Sequence, residues 1–421
     1  MKTYKFLIVA AGLLFGACSN DSDDMGSNER KEIELSRGES GIVSMQNGTA
    51  FSMLEYFNEN SEVDNFMVSP LSMQFALGML ANGADGNTFA ELEKALGEGS
   101  LSELNSLNSK LLAELPKADK RTTVELANSI WLDRSFNVYP EYSKSLTDFY
   151  WAESRSVDLP TTEAMNEINR WASAKTKGLV PQLLQRPLPS DAVVALINAL
   201  YFKGEWADAF KSNLTTKQKF TNCDGTTSFV ETMRRDYTNL KYLHTDKYEL
   251  ASLDYGNKTY SMTIVLPARD SSLDEALEML DSSAWSEYKR RAYERECNIR
   301  LPKFNIETRF DLIPYLRYMG VNDAFDDSKA DFSLMTSKEI FIGIVNQVTN
   351  IMVDEKGTEA AAVTIVGGFD AAAPGVKTID FFVDRPFAFI IDEQSTGAIL
   401  FMGRVNRLCA DSVTDLLSDK N

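Results

Sequence analysis

The sequence predicts an α+β fold within a single large domain. Apolar residues recur at helical spacing through most of the N-terminal half, whereas the C-terminal half is richer in the apolar runs that are typical of buried strands. Strands and helices do not alternate regularly, so a parallel βαβ sheet is not indicated. With 421 residues, of which 44% are hydrophobic, the chain is long enough to bury a large core. No linker rich in Pro, Gly or Ser divides it after residue 45.

The helices are predicted from apolar spacing and from capping residues. Ser69 and Pro70 are residue types that favour an N-cap and a first helical position, so a helix is expected to begin there. Thr88 is expected to cap the following helix. Together these signals predict helices over residues 48–58, from residue 70 onward, over 89–96 and over 163–175.

Short apolar runs predict the strands, which are more frequent toward the C-terminus. The predicted strands cover residues 125–132, 193–202, 260–266, 339–353, 387–392 and 398–405.

The segment at residues 353–365 resembles a strand that has no obvious sheet. Its single glycine, Gly357, precedes a run of small and β-branched residues that would suit the middle of a sheet. The segment then leads into Gly367, Gly368 and Pro374, which a central strand would not tolerate. A strand-forming hinge that continues into an exposed loop predicts a conformational switch.

The charge balance argues against several classes of partner. Lys and Arg number 43 against 61 Asp and Glu, which gives a net charge of -18, and no basic stripe with interleaved aromatic residues occurs. Nucleic acid and polyanions such as heparin are therefore not expected to bind.

Residue types that carry catalytic or metal chemistry are sparse. His244 is the only histidine and no G-x-S-x-G motif occurs, so a Ser-His-Asp hydrolase is not expected. Cys223, Cys297 and Cys409 are widely spaced without a CxxC pair, which argues against a disulfide framework and against a zinc site. Glycine-rich phosphate-binding motifs are also absent. The sequence therefore predicts no enzymatic activity, no metal and no cofactor.

The N-terminus resembles a targeting signal. Two lysines precede an apolar run at residues 6–15, which is too short to span a membrane. Gly16 and Ala17 stand directly before Cys18, an arrangement that resembles the lipobox of bacterial lipoproteins and implies a lipid on Cys18. Ordinary secretion with cleavage nearby is the alternative. A lipid on Cys18 would anchor the protein to the bacterial outer membrane, facing either the cell surface or the periplasm.

Four ordered motifs, with the spacing between them, resemble the serpins. They are Asn-Phe-Met-Val-Ser-Pro-Leu-Ser at residues 65–72, Asn-Ala-Leu-Tyr-Phe-Lys-Gly-Glu-Trp at 198–206, Leu-Pro-Lys-Phe at 301–304 and Asp-Arg-Pro-Phe at 384–387. The resemblance covers residues 45–408 and implies three β-sheets, eight to nine helices and an exposed reactive-centre loop. The expected organisation is a signal peptide (residues 1–17), an acidic flexible tether (18–44), the serpin domain (45–408) and a C-terminal tail (409–421).

The resemblance also implies a function. A monomeric suicide-substrate inhibitor of trypsin-like and elastase-like serine proteases is expected, in which the cleaved loop inserts into the central sheet and traps the acyl-enzyme. Two alternatives stay open: a non-inhibitory serpin that acts as a binding or chaperone protein, and an inhibitor of cysteine proteases that uses the same loop. Small residues after Gly357 favour inhibition. The hinge residues implied by the resemblance are Glu355, Gly357, Thr358, Ala360, Ala361 and Ala362.

The position of the reactive bond differs between two counts. Counting forward from Gly357 leads to Ala371, and counting back from Pro386 leads near Gly375. Lys377 is the only basic residue between the hinge and Asp384. The candidates are Lys377 and Val376 as the main sites, with Ala371, Ala372 and Ala373 as sites for elastase-like pockets.

One feature counts against efficient trapping after cleavage at Lys377. Gly367, Gly368 and Pro374 would then all lie in the inserting arm, where a central strand tolerates them poorly.

Five residues occupy the positions that the resemblance assigns to the region where the central strands part. They are Ser69, Ser72, Asn198, Trp206 and Gln347. Gln347 stands where the family usually has histidine. Glutamine can donate and accept hydrogen bonds but does not titrate, so the opening of the sheet is expected to depend little on pH near neutrality.

Overall fold

The computed structural model describes residues 28–409, apart from residues 98, 179, 191 and 359–377. Nine α-helices lie in this part of the chain, which agrees with the expected eight to nine. They are α1 (Arg37–Asn60), α2 (Pro70–Ala81), α3 (Gly86–Ala95), α4 (Leu101–Glu114), α5 (Pro140–Tyr150), α6 (Thr162–Lys175), α7 (Leu273–Glu278), α8 (Ser282–Arg291) and α9 (Ile313–Tyr318).

The same residues form fifteen strands. They are β1 (Asn65–Val68), β2 (Thr122–Asp133), β3 (Glu153–Val157), β4 (Val194–Glu205), β5 (Thr216–Thr221), β6 (Thr227–His244), β7 (Tyr248–Tyr255), β8 (Tyr260–Pro267), β9 (Tyr293–Pro302), β10 (Phe304–Asp311), β11 (Asn346–Val353), β12 (Gly357–Thr358), β13 (Ile379–Phe382), β14 (Phe387–Glu393) and β15 (Ile399–Val405). The α+β prediction is confirmed.

A six-stranded sheet has the strand order β10-β11-β12-β4-β2-β3. The pairs β10–β11 and β2–β4 are antiparallel, whereas β2 and β3 run parallel. In the described residues no ladder joins β11 directly to β4, and the two-residue strand β12 connects them. This sheet contains the candidate site.

The remaining strands form one hydrogen-bonded ladder in the order β1-β15-β14-β8-β7-β6-β9-β13, with β5 paired to β6. The register between β6 and β9 shifts between Arg235 and Thr238, where Tyr237 has a positive φ of 53°. A bulge of this kind bends a ladder. The resemblance implies three sheets, whereas the described strands form two hydrogen-bonded ladders.

Helix α2 occupies the core between the two ladders. Eleven of its 12 residues are buried, and it packs against β4 and β15. A helix that is apolar on all sides is typical of a protein interior. Ser69 caps this helix as predicted, because its hydroxyl accepts a hydrogen bond from the Ser72 backbone N–H, and Pro70 is the first helical residue. Ser72, in the first turn of α2, connects the helix to the six-stranded sheet because its hydroxyl donates to Asn198 of β4.

Three local predictions are wrong. The tether expected over residues 18–44 ends earlier, since α1 begins at Arg37 with a capping box between Ser36 and Glu39. Thr88 does not cap α3. Asp85 does so, and the Thr88 hydroxyl instead accepts a hydrogen bond from the Asp331 backbone N–H.

The third error concerns the strand predicted over residues 339–353, of which only Asn346–Val353 is a strand. The partner strand β10 ends at Asp311, opposite Asn346, so residues before Asn346 have no strand to pair with there. Ile340, Ile342 and Val345 are buried by packing instead, so the apolar run is explained without a strand.

Candidate functional site

The hinge segment enters the six-stranded sheet between β11 and β4. Thr358 pairs with Val353 of β11 and with Gly204 of β4, and Gly357 pairs with Glu205. Because neighbouring strands are about 4.8 Å apart, β11 and β4 are about 9.6 Å apart at this level. The segment at residues 353–365, which resembled a strand without a sheet, therefore has two of its residues, Gly357 and Thr358, in the centre of one.

Gly357 is required by this arrangement. Its φ is +151°, a conformation that other residues rarely adopt. A Cβ at this position would lie 1.9 Å from the carbonyl oxygen of Gly204 and 2.8 Å from Cα of Glu205. The close approach of the hinge to β4 thus depends on the absence of a side chain.

Thr358 is buried, and its hydroxyl shares a 2.8 Å hydrogen bond with the hydroxyl of Tyr255. The Tyr255 ring stacks on Trp206 with a centroid distance of 4.4 Å and an interplanar angle of 11°. Burial raises the pKa of Tyr255 well above its usual range, so this hydroxyl stays protonated. The side chain of Thr358 consequently points into a filled aromatic layer that leaves room only for a small residue.

Trp206 holds the turn that precedes the hinge. Its backbone N–H donates to the Lys356 carbonyl at 2.8 Å, and its indole Nε1 donates to the Asp354 carbonyl at 2.9 Å. The Phe210 backbone N–H donates to the Glu355 carbonyl at 2.8 Å. Three successive carbonyls of the turn are therefore satisfied by one short segment after β4.

Glu355 is held by a polar cluster. The Thr215 hydroxyl donates to its carboxylate at 2.7 Å, and Lys303 Nζ lies 3.3 Å from it and 3.2 Å from Glu231. Burial acts to raise the pKa of Glu355, but the hydrogen bond from Thr215 and the charge of Lys303 outweigh it and hold that pKa below 4.5. Burial acts in the opposite sense on Lys303, yet the carboxylates of Glu355 and Glu231 raise its pKa above 10.5. Both groups are charged near neutral pH.

The residues expected where the strands part form two separate hydrogen-bonded groups. On the β11 side, Gln347 Oε1 accepts from the Ser69 backbone N–H at 2.8 Å and its Nε2 donates to the Ser69 carbonyl at 2.9 Å. The Ser69 hydroxyl donates to the Leu400 carbonyl at 2.8 Å. Gln347 thus ties β11 to the start of α2.

The second group lies on the β4 side. The Ser72 hydroxyl donates to Asn198 Oδ1, and Asn198 Nδ2 donates to Asn128 Oδ1 at 2.7 Å. Asn128 Nδ2 in turn donates to the Tyr150 carbonyl at 2.7 Å. Asn198 and Gln347 therefore lie on the two strands that β12 separates, and both are hydrogen-bonded to the N-terminal end of α2.

We expect the trapping reaction to be independent of pH between about 5 and 8, the range in which histidine titrates. Gln347 has no titrating proton. The carboxylate of Glu355 stabilises the hinge above its unfolded pKa, and this contribution is lost only as pH falls through its lowered folded pKa. The contribution of Lys303 is complete below its unfolded pKa of about 10.5 and is lost only as pH rises through the raised folded pKa.

The measurement is the rate of protease inactivation across this pH range, corrected for the pH dependence of the protease alone. His244 is the only histidine and is 60% exposed, beside Glu249 at the end of β6. A His244→Gln variant with the same profile serves as the control. A marked inflection in the corrected rate between these limits would contradict the expectation.

Several predicted site residues lie outside the described residues. These are Ala360, Ala361, Ala362, Ala371, Ala372, Ala373, Val376, Lys377 and Cys18.

Tyr255 could not be predicted from sequence as the partner of Thr358, because a tyrosine at the end of a strand usually serves core packing. Lys303 lies within the motif at residues 301–304, but its pairing with Glu355 spans two distant parts of the chain. No group of three or more His, Cys, Asp or Glu side chains that could hold a metal ion occurs among the described residues. The described helices include none that is long and apolar enough to cross a membrane.

A family model described as serpin (serine protease inhibitor) matches residues 44–408. The chain is a serpin. It belongs to a family of protease inhibitors and is not itself an enzyme. Leukocyte elastase inhibitor A of Mus musculus is 32% identical over 367 residues, which cover 85% of this chain and 96% of that protein. Leukocyte elastase inhibitor of Homo sapiens is 31% identical, over 84% of this chain and 96% of that protein.

Solved serpin structures match the fold. The native state of the thermophilic serpin tengpin superposes with a TM-score of 0.80 at 30% identity, covering 92% of this chain and 98% of tengpin. Human thyroxine-binding globulin, solved with its thyroxine ligand, gives a TM-score of 0.81 at 26% identity, covering 88% of this chain and all of that one. The serpin fold predicted from the four motifs is therefore confirmed.

Proposed function

We propose that this serpin is a suicide-substrate inhibitor of serine proteases with trypsin-like and elastase-like specificity. The protease attacks the loop after Thr358 as a substrate and forms an acyl-enzyme through its own serine. The cleaved loop then inserts between β11 and β4 and carries the protease away before the acyl-enzyme hydrolyses. The relatives named leukocyte elastase inhibitor support elastase-like enzymes as targets.

The single observation that carries this proposal is the position of Thr358. It already pairs with Val353 of β11 and with Gly204 of β4, so it lies between the two strands that would flank an inserted loop. Strand addition to an existing sheet supplies main-chain hydrogen bonds on both sides of the incoming segment. The hinge is thus a strand whose first two residues are in place and whose continuation can add to it.

The two pairings fix the register of the continuation. If antiparallel pairing continues, Thr364 lies opposite Gln347 of β11, because it is as far from Thr358 as Gln347 is from Val353. Counted along β4 from Gly204, the same residue lies opposite Asn198. The two independent counts therefore meet at the polar side chains that flank the parting strands. A threonine hydroxyl there can hydrogen-bond to both amides.

This register also affects how much Gly367 and Gly368 would weaken an inserted strand. Asn346, the first residue of β11, would pair with residue 365, and Val194, the first residue of β4, would pair with residue 368. The two glycines would lie at the end of the ladder, where they cost less than in a central strand. A cavity of about 690 Å³ lies there, lined by residues 183–189, the end of β10 and the start of β11. It offers space for the residues that follow.

The reactive bond is proposed at Lys377 for trypsin-like enzymes, with Val376 and Ala371–373 available to elastase-like enzymes. The mature protein is mixed with trypsin and with elastase, and the products are separated in SDS. We expect SDS-resistant complexes with both, and a released C-terminal fragment from the trypsin reaction that begins at Thr378. The Lys377→Ala variant should lose the trypsin complex and keep the elastase complex.

The outcomes separate the alternatives. Complexes only with a papain-like enzyme would assign the inhibitor to cysteine proteases. Absence of a complex with every protease tested would overturn inhibition and return the chain to the class of binding or chaperone serpins.

We also propose that Cys18 is lipidated and anchors a monomeric protein to the bacterial outer membrane. The small residues before Cys18 support this proposal. Cells fed a labelled fatty acid should incorporate label into the protein, and the Cys18→Ala variant should remain unlabelled. Protease treatment of intact cells then reports whether the protein faces the surface or the periplasm.

A further inference from the structure

The chain that follows the proposed reactive bond is anchored to the second ladder. Strand β13 begins at Ile379, and it pairs in parallel with β9 from Cys297 onward. Phe381 of β13 is fully buried. Thr378 is therefore the single residue between Lys377 and a paired strand. Cleavage after Lys377 would leave Thr378 as the first residue of an anchored segment.

Thr378 is held by Glu296, the residue that precedes Cys297 in β9. The Thr378 hydroxyl donates a hydrogen bond to Glu296 Oε1. The backbone nitrogen of a threonine is three bonds from its side-chain oxygen, so the two atoms are about 3–4 Å apart. In the uncut chain this nitrogen is a neutral amide. The carboxylate of Glu296 therefore lies beside the atom at which cleavage creates a positive charge.

No cation compensates the charge of Glu296 in the described part of the chain. The hydrogen bond from Thr378 is its side-chain contact there, and no Lys, Arg or His pairs with it. The neighbouring Arg295 donates from its guanidinium to the Tyr293 hydroxyl at 2.9 Å. Asp380, two residues after Thr378, accepts a 2.8 Å hydrogen bond from an asparagine of β9. Glu296 thus has an uncompensated negative charge that a new cation can use.

Cleavage after Lys377 turns the Thr378 nitrogen into such a cation. The protease serine attacks the Lys377 carbonyl carbon, and its hydroxyl proton passes to the general base of the protease. As the carbon–nitrogen bond breaks, that proton is transferred to the departing nitrogen, which leaves as a primary amine. An α-amino group has a pKa of about 7.7–8.0, so it takes up one further proton from solvent at neutral pH. The products are an acyl-enzyme at Lys377 and an α-ammonium on Thr378.

We propose that Glu296 binds the α-ammonium of Thr378 and so opposes re-formation of the cut bond. This inference rests on the proposed cleavage after Lys377. Only the unprotonated amine can attack the ester carbonyl of the acyl-enzyme and restore the peptide bond. A carboxylate beside the amine favours its protonated form. The pairing of β13 with β9 keeps the ammonium at Glu296 while the acylated end leaves with the protease.

This role is confined to one of the proposed reactive bonds. Cleavage after Ala371, Ala372 or Ala373 would create the ammonium at residues 372–374, at least four residues before Thr378. The Thr378 nitrogen then remains an amide. Glu296 should therefore assist the reaction with trypsin-like enzymes at Lys377 and not the reaction with elastase-like enzymes at the alanines.

The test uses the complete mature chain and its Glu296→Gln variant. Glutamine keeps an oxygen that accepts from the Thr378 hydroxyl but removes the charge. Glu294→Gln is the matched control, because it removes the same charge from an exposed position two residues earlier in β9. Each protein is reacted with trypsin, and the products are labelled at neutral pH with a limiting amount of acetic anhydride. Mass spectrometry then measures the acetylated fraction of the α-amine in the fragment that begins at Thr378.

The Thr378 amine of Glu296→Gln is expected to react about threefold faster than that of the unmodified protein, the factor that an exposed ion pair of ordinary strength provides. Glu294→Gln should react at the unmodified rate. The difference should disappear when the products are unfolded in urea before labelling. The rate of trypsin inactivation should also fall in Glu296→Gln, whereas the rate of elastase inactivation should not change.

Equal reactivity of the Thr378 amine in all three proteins, or an equal increase in both variants, would overturn the role of Glu296. A trypsin fragment that begins at another residue would instead overturn the proposed reactive bond. The amine is present in the cleaved inhibitor as well as in the complex, so its reactivity is measured even where no protease is trapped. Failure of the proposed function and failure of the role of Glu296 are therefore distinguishable.

Discussion

The Thr358→Arg variant is expected to be cleaved by trypsin and elastase without trapping either enzyme. Thr358 is buried, with its hydroxyl against that of Tyr255 in the stacked layer formed with Trp206. An arginine there would have to leave the sheet or bury an unpaired charge, which costs about 3 kcal/mol or more. A barrier raised by about 3 kcal/mol slows insertion roughly 100-fold. Hydrolysis of the acyl-enzyme then precedes insertion, and the protease is released.

The measurement is the ratio of complex to cleaved inhibitor in SDS gels after reaction with a fixed amount of protease. Thr358→Ser is the matched control, because it keeps the hydroxyl and adds no volume. It should give the same ratio as the unmodified protein. If Thr358→Arg trapped trypsin as efficiently as Thr358→Ser, insertion of the cleaved loop between β11 and β4 could not be the step that traps the protease.

Gly357→Val is expected to detach the hinge from β4. The φ of +151° disfavours any side chain, at a cost of about 1–3 kcal/mol. The new Cβ would also lie 1.9 Å from the Gly204 carbonyl oxygen, so the backbone must move. Loss of the Gly357–Glu205 and Thr358–Gly204 pairs removes the point from which insertion proceeds. More inhibitor molecules should therefore be consumed for each protease molecule inactivated.

The number of inhibitor molecules consumed is read from a titration of protease activity. Gly48→Ala is the control, since Gly48 lies in α1 and its Cβ would meet only Ser282 Oγ at 3.9 Å. Urea unfolding of the uncleaved protein checks that both variants are folded. A titration endpoint for Gly357→Val equal to that of Gly48→Ala would show that the hinge geometry is not needed.

Much of the fold could be predicted from the sequence, because the residues that indicate each helix or strand are close together in the chain. Ser69 and Pro70 predict the start of α2 through capping chemistry that involves only neighbouring residues. The apolar runs of β8 and β14 could be recognised as strands without knowing which strands pair with them. The strand predicted before Asn346 failed for the complementary reason. Its apolar run is real, but a strand needs a neighbour, and β10 ends opposite Asn346.

The candidate site could be predicted from the sequence only in part. Gly357 marked the hinge because a glycine before a strand-forming run is a local feature. Thr358 contacts Tyr255, and Glu355 contacts Lys303, although the residues of each pair lie far apart in the chain. No local sequence pattern at Tyr255 or Lys303 predicts these contacts. The same holds for residues 28–35. Asn28 and Ile33 lie in a charged segment whose composition predicted a free tether, whereas their contacts are made with turns that only the fold brings near.

The central claim is that the cleaved loop adds to the sheet between β11 and β4 in the register set by Thr358. Hydrogen exchange of the trypsin complex, compared with that of the uncleaved protein, tests it most directly. We expect the backbone amides of β4 at residues 194–203 and of β11 at residues 346–352 to exchange much more slowly in the complex, because both strands gain a paired neighbour. Unchanged exchange in β4 and β11 of a complex that nevertheless forms would contradict the account.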